Sequence, residues 1–225
     1  MKKYLKLIII LIVILTPLMI VTSGIRLALT PLFINLEYRL PNFPADDYGF
    51  STEERLSWAR YSVKYISGRI SDDEFAAQTF PDGSPLFNDR EIKHMIDVRN
   101  LTVITIMFWR IFTLITILLI LFAWKEVEWR TPILMGATRG AHLTLALIGA
   151  VLLFLAINFN QLFTGFHLIF FEGDSWLFYL SDTLIRLFPL KFWRDLFIFI
   201  GAFSVLLSAV LILIGKRLLN KKEAR

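Results

Sequence analysis

The chain contains no cysteine. Disulfides, iron–sulfur clusters and thiol nucleophiles are therefore excluded, and the redox compartment leaves no mark on the composition. Histidine is nearly as scarce, with three residues, and none stand at HExxH spacing, so no metal site is expected. Neither a glycine-rich phosphate loop nor an internal repeat is visible. Lys and Arg outnumber Asp and Glu by 24 to 19, yet most of these cations flank apolar runs rather than form a patch. That placement argues against a nucleic-acid partner.

What is abundant is apolar side chain. Hydrophobic residues make up 56% of the 225 positions, and a mean hydropathy of +0.62 belongs to an integral membrane chain. Lys2, Lys3 and Lys6 precede an apolar run over about 7–29. The run is too long for a secretory signal and has no small-x-small cleavage site, so it reads as a first transmembrane helix. Pro17 would kink that helix or be absorbed by packing, and Arg26 near its far end can snorkel outward. Further runs lie at about 101–124, 132–157 and 192–214. The expected fold is thus an all-α polytopic membrane protein, one domain over 1–225. It has four spans and two structured loops, at about 30–97 and 158–191.

The first loop carries its own helix signals. Ser51-Thr52-Glu53-Glu54 is a capping-box pattern before Leu56, Ala59, Val63 and Ile66, and Gly68 is placed to stop that helix. Trp58, Tyr61 and Tyr65 could anchor it at a membrane surface, or the helix could pack on those beneath. Ser71 to Glu74 repeats the capping signal, and Pro81 to Pro85 is a turn. Asn88-Asp89-Arg90-Glu91 then caps a helix that nothing breaks before about Trp124. At 1.5 Å per residue it would be about 50 Å long, more than the bilayer is thick. Its first turns stand clear of the hydrocarbon, and they carry His94 and Asp97, three apart on one face. A carboxylate so placed can accept an imidazole N–H and fix the tautomer. Arg110, deeper in the same helix, either stabilises a carboxylate or developing oxyanion or snorkels outward.

The densest chemistry lies at 158–193, NFNQLFTGFHLIFFEGDSWLFYLSDTLIRLFPLKFW. Aromatics at this density suit the lipid–water boundary. Among them stand His167, the carboxylates Glu172, Asp174 and Asp182, and Trp176. A titratable imidazole beside carboxylates is what acid–base chemistry on a lipid requires, while the plainer reading is a re-entrant loop with a half-solvated histidine. Glu172 or Asp174 could serve His167, with Trp176 and Asp182 in support. Cations cluster at the N-terminus, at Lys125 to Arg130 and at the C-terminus, which places both termini in the cytoplasm and both loops outside. His94 and His167 then meet at one level. His142, at the start of the third span, falls on the opposite side.

The stretch FHLIFFEGDSWLFYLSDTLIRLFP, with EIKHMIDVRNL upstream, resembles the lipoprotein intramolecular transacylases. The resemblance implies a multi-pass protein of the bacterial cell membrane that needs no cofactor. Its partners would be diacylglyceryl-modified lipoproteins and membrane lipids. It would move the sn-2 acyl chain onto the α-amino group of the N-terminal cysteine, giving the lyso-form, with His94 and His167 as the catalytic pair. Two alternatives stand beside it. One is another interfacial acyl hydrolase or acyltransferase, although Ser175 and Ser181 are not in a GxSxG elbow. The other is a non-enzymatic membrane accessory subunit.

Overall fold

The structure, a computed structural model, describes residues 2–223 and the side chains of 5–220. The terminal cations Lys2, Lys3, Lys221, Lys222 and Arg225 lie outside the described side chains. Helices follow one another as α1 (Lys2–Ala28), α2 (Pro31–Glu37), α3 (Thr52–Ile66), α4 (Asp72–Ala76), α5 (Asp89–Lys125), α6 (Val127–Phe170), α7 (Thr183–Leu187) and α8 (Leu190–Glu223). Four of them, α1, α5, α6 and α8, contain stretches long and apolar enough to cross a membrane. None of the most apolar stretch of α5 is buried by protein, so Leu114, Ile120 and Leu121 need an apolar solvent rather than a core.

The chain divides into two compact units. One comprises Met1–Arg26, Met107–Leu153 and Ile198–Arg225. Here α6 meets α1 through Gly136 and Gly140, a Gly-x-x-x-Gly pair that lets backbones close. A Cβ on Gly140 would lie 2.5 Å from Thr16 Cβ and 2.9 Å from the Val13 carbonyl oxygen, so no side chain fits. α1 runs through Pro17 as one helix. Arg26, expected to snorkel, lies over the Trp109 ring, whose indole N–H donates to Ser23 Oγ at 3.2 Å. The expected loop at Lys125 to Arg130 shrinks to Glu126 alone, because α6 begins at Val127. Arg130 donates to the carbonyls of Ala123 and Trp124, both at 2.8 Å, and so satisfies the end of α5.

The second unit comprises Leu27–Ile106 and Phe154–Phe197. Its helices start where the polar sequence says they should. Ser51 and Glu54 form a capping box on α3, Ser71 Oγ accepts the Glu74 N–H on α4, and Asn88 and Glu91 exchange the same pair of bonds on α5. The buried face of α3 is one residue away from the apolar expectation. Arg55, Ala59, Ser62 and Tyr65 are buried, while Leu56, Val63 and Ile66 are half-buried. Arg55 can go inside because it donates to the carbonyls of Arg186 (2.8 Å) and Pro44 (2.7 Å). Tyr65 is no membrane anchor: it stacks on Phe75 at 4.1 Å, and Phe75 stacks on Phe87 at 4.5 Å.

Ion pairs tie α7 and α8 to the first loop. Arg186 grips Asp46 through two bonds of 3.0 Å, and Lys191 bridges Glu37 and Asp195. Burial alone would raise the Asp46 carboxyl. The Arg186 guanidinium and the N–H groups of Phe50 and Tyr48 outweigh it and hold the group below the usual carboxylate range.

The stretch expected as a loop from 158 is helical as far as Phe170. Asn158 breaks the line of α6 with φ −154° and ψ 84°, and its side chain accepts the Gln161 N–H at 3.0 Å. That is an N-cap, so the chain turns there and starts a new helical segment instead of leaving the helix.

Candidate active site

His94 and His167 come from different helices, 73 residues apart in sequence by their numbers. α5 delivers His94 one turn after its cap. Glu91 in that cap accepts two backbone N–H bonds, from Asn88 at 2.8 Å and from Leu184 at 2.7 Å, and so fastens the start of α5 to α7. His167 sits in the last turn of α6. Its Nδ1 is 2.7 Å from the Phe163 carbonyl oxygen, which can only accept, so Nδ1 carries the hydrogen. In the neutral ring Nε2 is then the basic nitrogen.

The two rings lie 6.0 Å apart between centroids, with planes inclined by 23°. Each histidine is 6% exposed. Aromatic carbon surrounds them: Phe163 at 4.2 Å and Trp176 at 4.7 Å from His167, Phe171 at 4.9 Å and Phe178 at 5.4 Å from His94. Gly173, at φ 69°, supplies the reversal that returns the chain after α6 toward the rings, a conformation costly with a Cβ. Leu168, Ile169, Leu177, Tyr179 and Leu180 nearby in sequence remain exposed. Such a rim fits a boundary with lipid.

The other sequence candidates lie in different surroundings. Asp97 does not orient His94 through Nδ1, which is buried and has no hydrogen-bond partner among the described residues. Glu172 and Asp174 are exposed, and the Phe163 carbonyl rather than a carboxylate holds His167. Asp182 shapes the loop, accepting from Asn88 Nδ2 at 3.1 Å and from the Tyr179 N–H at 2.8 Å. Trp176 lies against His167, with its indole N–H buried and unpartnered, as is the Ser175 hydroxyl. Arg110 belongs to the other unit and is exposed. His142, in that same unit, approaches the Thr138 carbonyl at 2.8 Å. Among the described residues no group of three His, Asp or Glu is arranged to hold a metal.

Phe171 and Phe178 carry no sequence signal as site residues, because one aromatic looks like another in an aromatic-rich stretch. Glu91 was legible only as a cap. Its spacing from Asn88 is that of a capping box, but its second bond, to Leu184, spans too much sequence to be read.

Residues 10–193 match the family model described as lipoprotein intramolecular transacylase Lit. The chain belongs to that family. An uncharacterised protein of Aquifex aeolicus (strain VF5) is 32% identical to this transacylase-family chain over 97% of its length and 99% of the relative's. The fold is that of the membrane-integral lipoprotein intramolecular transacylase Lit from Bacillus cereus, with a TM-score of 0.80 at 19% identity over the whole of both chains. A form of that Bacillus protein with a histidine-to-alanine substitution matches with a TM-score of 0.71 at 20% identity, over 100% of this chain and 97% of that one. The transacylase-family chain is accordingly a multi-pass membrane protein, and lipoprotein processing is its setting.

Proposed function

We propose that the protein transfers the sn-2 acyl chain of a diacylglyceryl lipoprotein to the α-amino group of its N-terminal cysteine, with His94 and His167 as the acid–base pair. The observation that carries this reading is the approach of two buried imidazoles within an aromatic enclosure. His167 keeps its Nε2 lone pair because Nδ1–H is committed to Phe163.

An α-amino group has a pKa near 8 and gives up its proton within reach of an imidazole. The amine nitrogen attacks the ester carbonyl, the N–C bond forms, and His167 Nε2 takes the amine proton. Collapse breaks the C–O bond, and the proton returns to the glyceryl oxygen. His94 serves as the second station, since an imidazole can take a proton at one nitrogen while releasing one from the other. Donor and acceptor belong to one molecule, so the site's main task is to fold the lipid head into a ring. That proximity effect is able to supply about 7–11 kcal/mol of the barrier. The reading includes orientation: both termini cytoplasmic, with the histidine pair on the outer side of the bacterial cell membrane. The cation clusters support it.

The test is fragmentation mass spectrometry of the N-terminal peptide of a co-expressed lipoprotein. Transfer within one molecule leaves the intact mass unchanged and moves an acyl chain from glycerol to the cysteine nitrogen. Loss of a fatty acid's mass would favour a hydrolase, and an unaltered fragment pattern would favour an accessory subunit.

A further inference from the structure

We propose that the indole N–H of Trp176 is the hydrogen-bond donor that receives the ester carbonyl oxygen as it becomes an oxyanion. The inference deepens the proposed reaction and rests on that reading only for the identity of the attacking group. Any nucleophile that adds to the ester carbonyl at this site generates the same oxygen anion.

Two properties of Trp176 carry the assignment. Its Nε1 is buried and has no hydrogen-bond partner among the described residues. Two other indoles are bonded, Trp109 to Ser23 Oγ at 3.2 Å and Trp193 to the Phe188 carbonyl at 3.1 Å. Buried indole N–H groups ordinarily find an acceptor, so an unspent one beside a reactive histidine is available to a ligand. The second property is proximity to His167. The Trp176 ring lies 4.7 Å from the His167 ring with the planes 33° apart. Two rings this close can serve one tetrahedral centre, with its nitrogen at His167 and its oxygen at Trp176.

The surroundings require such a donor. The rings pack among Phe163, Phe171 and Phe178, and no carboxylate holds His167 Nδ1 or His94 Nδ1. A preformed imidazolium would have no counter-ion there, whereas a neutral N–H is in place before the charge develops, at no reorganisation cost. Trp176 gives up no proton. It shortens its hydrogen bond as the negative charge grows and relaxes when the C–O bond breaks.

The experiment compares purified full-length proteins in phosphatidylglycerol vesicles with a diacylglyceryl lipopeptide. Trp176 is replaced by Phe and, site-specifically, by 3-benzothienylalanine, which keeps the bicyclic shape and carries sulfur in place of N–H. Both should lower kcat on the order of 10²–10³-fold, the loss expected for one oxyanion donor, and leave KM little changed. A benzothienyl variant at the native rate would overturn the assignment, because shape alone would then suffice. A loss produced by Ser175→Ala but not by the Trp176 variants would also overturn it. Should the variants misfold, the unsubstituted protein still decides: a phosphonate lipid mimicking the tetrahedral centre should shift the Trp176 indole N–H resonance downfield, and an unmoved resonance would contradict the proposal. Product identity is read separately. A hydrolysed product with slow Trp176 variants would sink the transacylase reading and leave the donor standing.

Discussion

Glu91 accepts the backbone N–H of Leu184 at 2.7 Å while also accepting that of Asn88 at 2.8 Å. One buried carboxylate therefore starts α5, fixes α7 to it, and stands a single turn before His94. Burial of a charged acceptor is tolerable here because two N–H groups aim at it.

Substituting Glu91 should therefore disturb both fold and chemistry. Glu91→Ala leaves the buried Leu184 N–H unpaired, at a cost of about 1–3 kcal/mol, and removes the cap bond from Asn88. Glu91→Gln offers one oxygen for two donors and turns an NH2 toward the other, so it should be impaired as well. Thermal unfolding and N-acyl transfer should fall together in both variants. A fully active, fully stable Glu91→Gln protein would contradict this role.

Asp97→Asn, Glu172→Gln and Asp174→Asn should each leave the transfer rate within about threefold of the parent, as is usual for exposed or unpartnered surface groups. The test is initial rate at saturating lipopeptide. A large loss in Asp97→Asn would mean that Asp97 reaches His94 once substrate is bound.

The apolar runs, caps and turn were legible because each rests on local sequence. Ser51 with Glu54 and Asn88 with Asn88's own partner Glu91 are read three residues apart, and the structure places caps at both. The new helix after Asn158 is masked in the sequence although Asn158 and Gln161 stand at capping distance, because the aromatic density there is equally that of a lipid–water interface. The α3 face is illegible for a different reason. Arg55 goes inside through acceptors at Pro44 and Arg186, and such partners are invisible to hydropathy. His94, His167 and a supporting Trp176 are legible from the cation clusters and the resemblance, but the packing of Trp176 on His167 depends on a turn at Gly173.

Gly140 should tolerate no larger residue. Gly140→Leu would place side-chain atoms where Thr16 and the Val13 carbonyl already lie, and overpacking of this kind costs about 1–3 kcal/mol. The unfolding temperature in detergent should drop. Thr16→Ala should recover little of the loss, because it keeps the Cβ that lies 2.5 Å away, and an unchanged melting temperature in Gly140→Leu would contradict the close α1–α6 packing.

Membrane orientation is tested by reporter fusions. Fusions at Gly68 and Asp182 should read exterior, and those at Glu128 and at the C-terminus cytoplasmic. An exterior reading at Glu128 would break the four-span arrangement and part the levels at which His94 and His167 are expected.

The most direct test of the paired-histidine mechanism is the single-turnover rate of amide formation in His94→Ala, His167→Ala and the double variant. Each single substitution should slow the step by about 10²–10⁴-fold, the range for a positioned acid–base group. If the pair acts as one unit, the double variant should be scarcely slower than either. His142→Ala, whose ring belongs to the other unit and approaches Thr138, serves as the control and should keep the parent rate. Amide formation at the native rate in purified His167→Ala would contradict the mechanism.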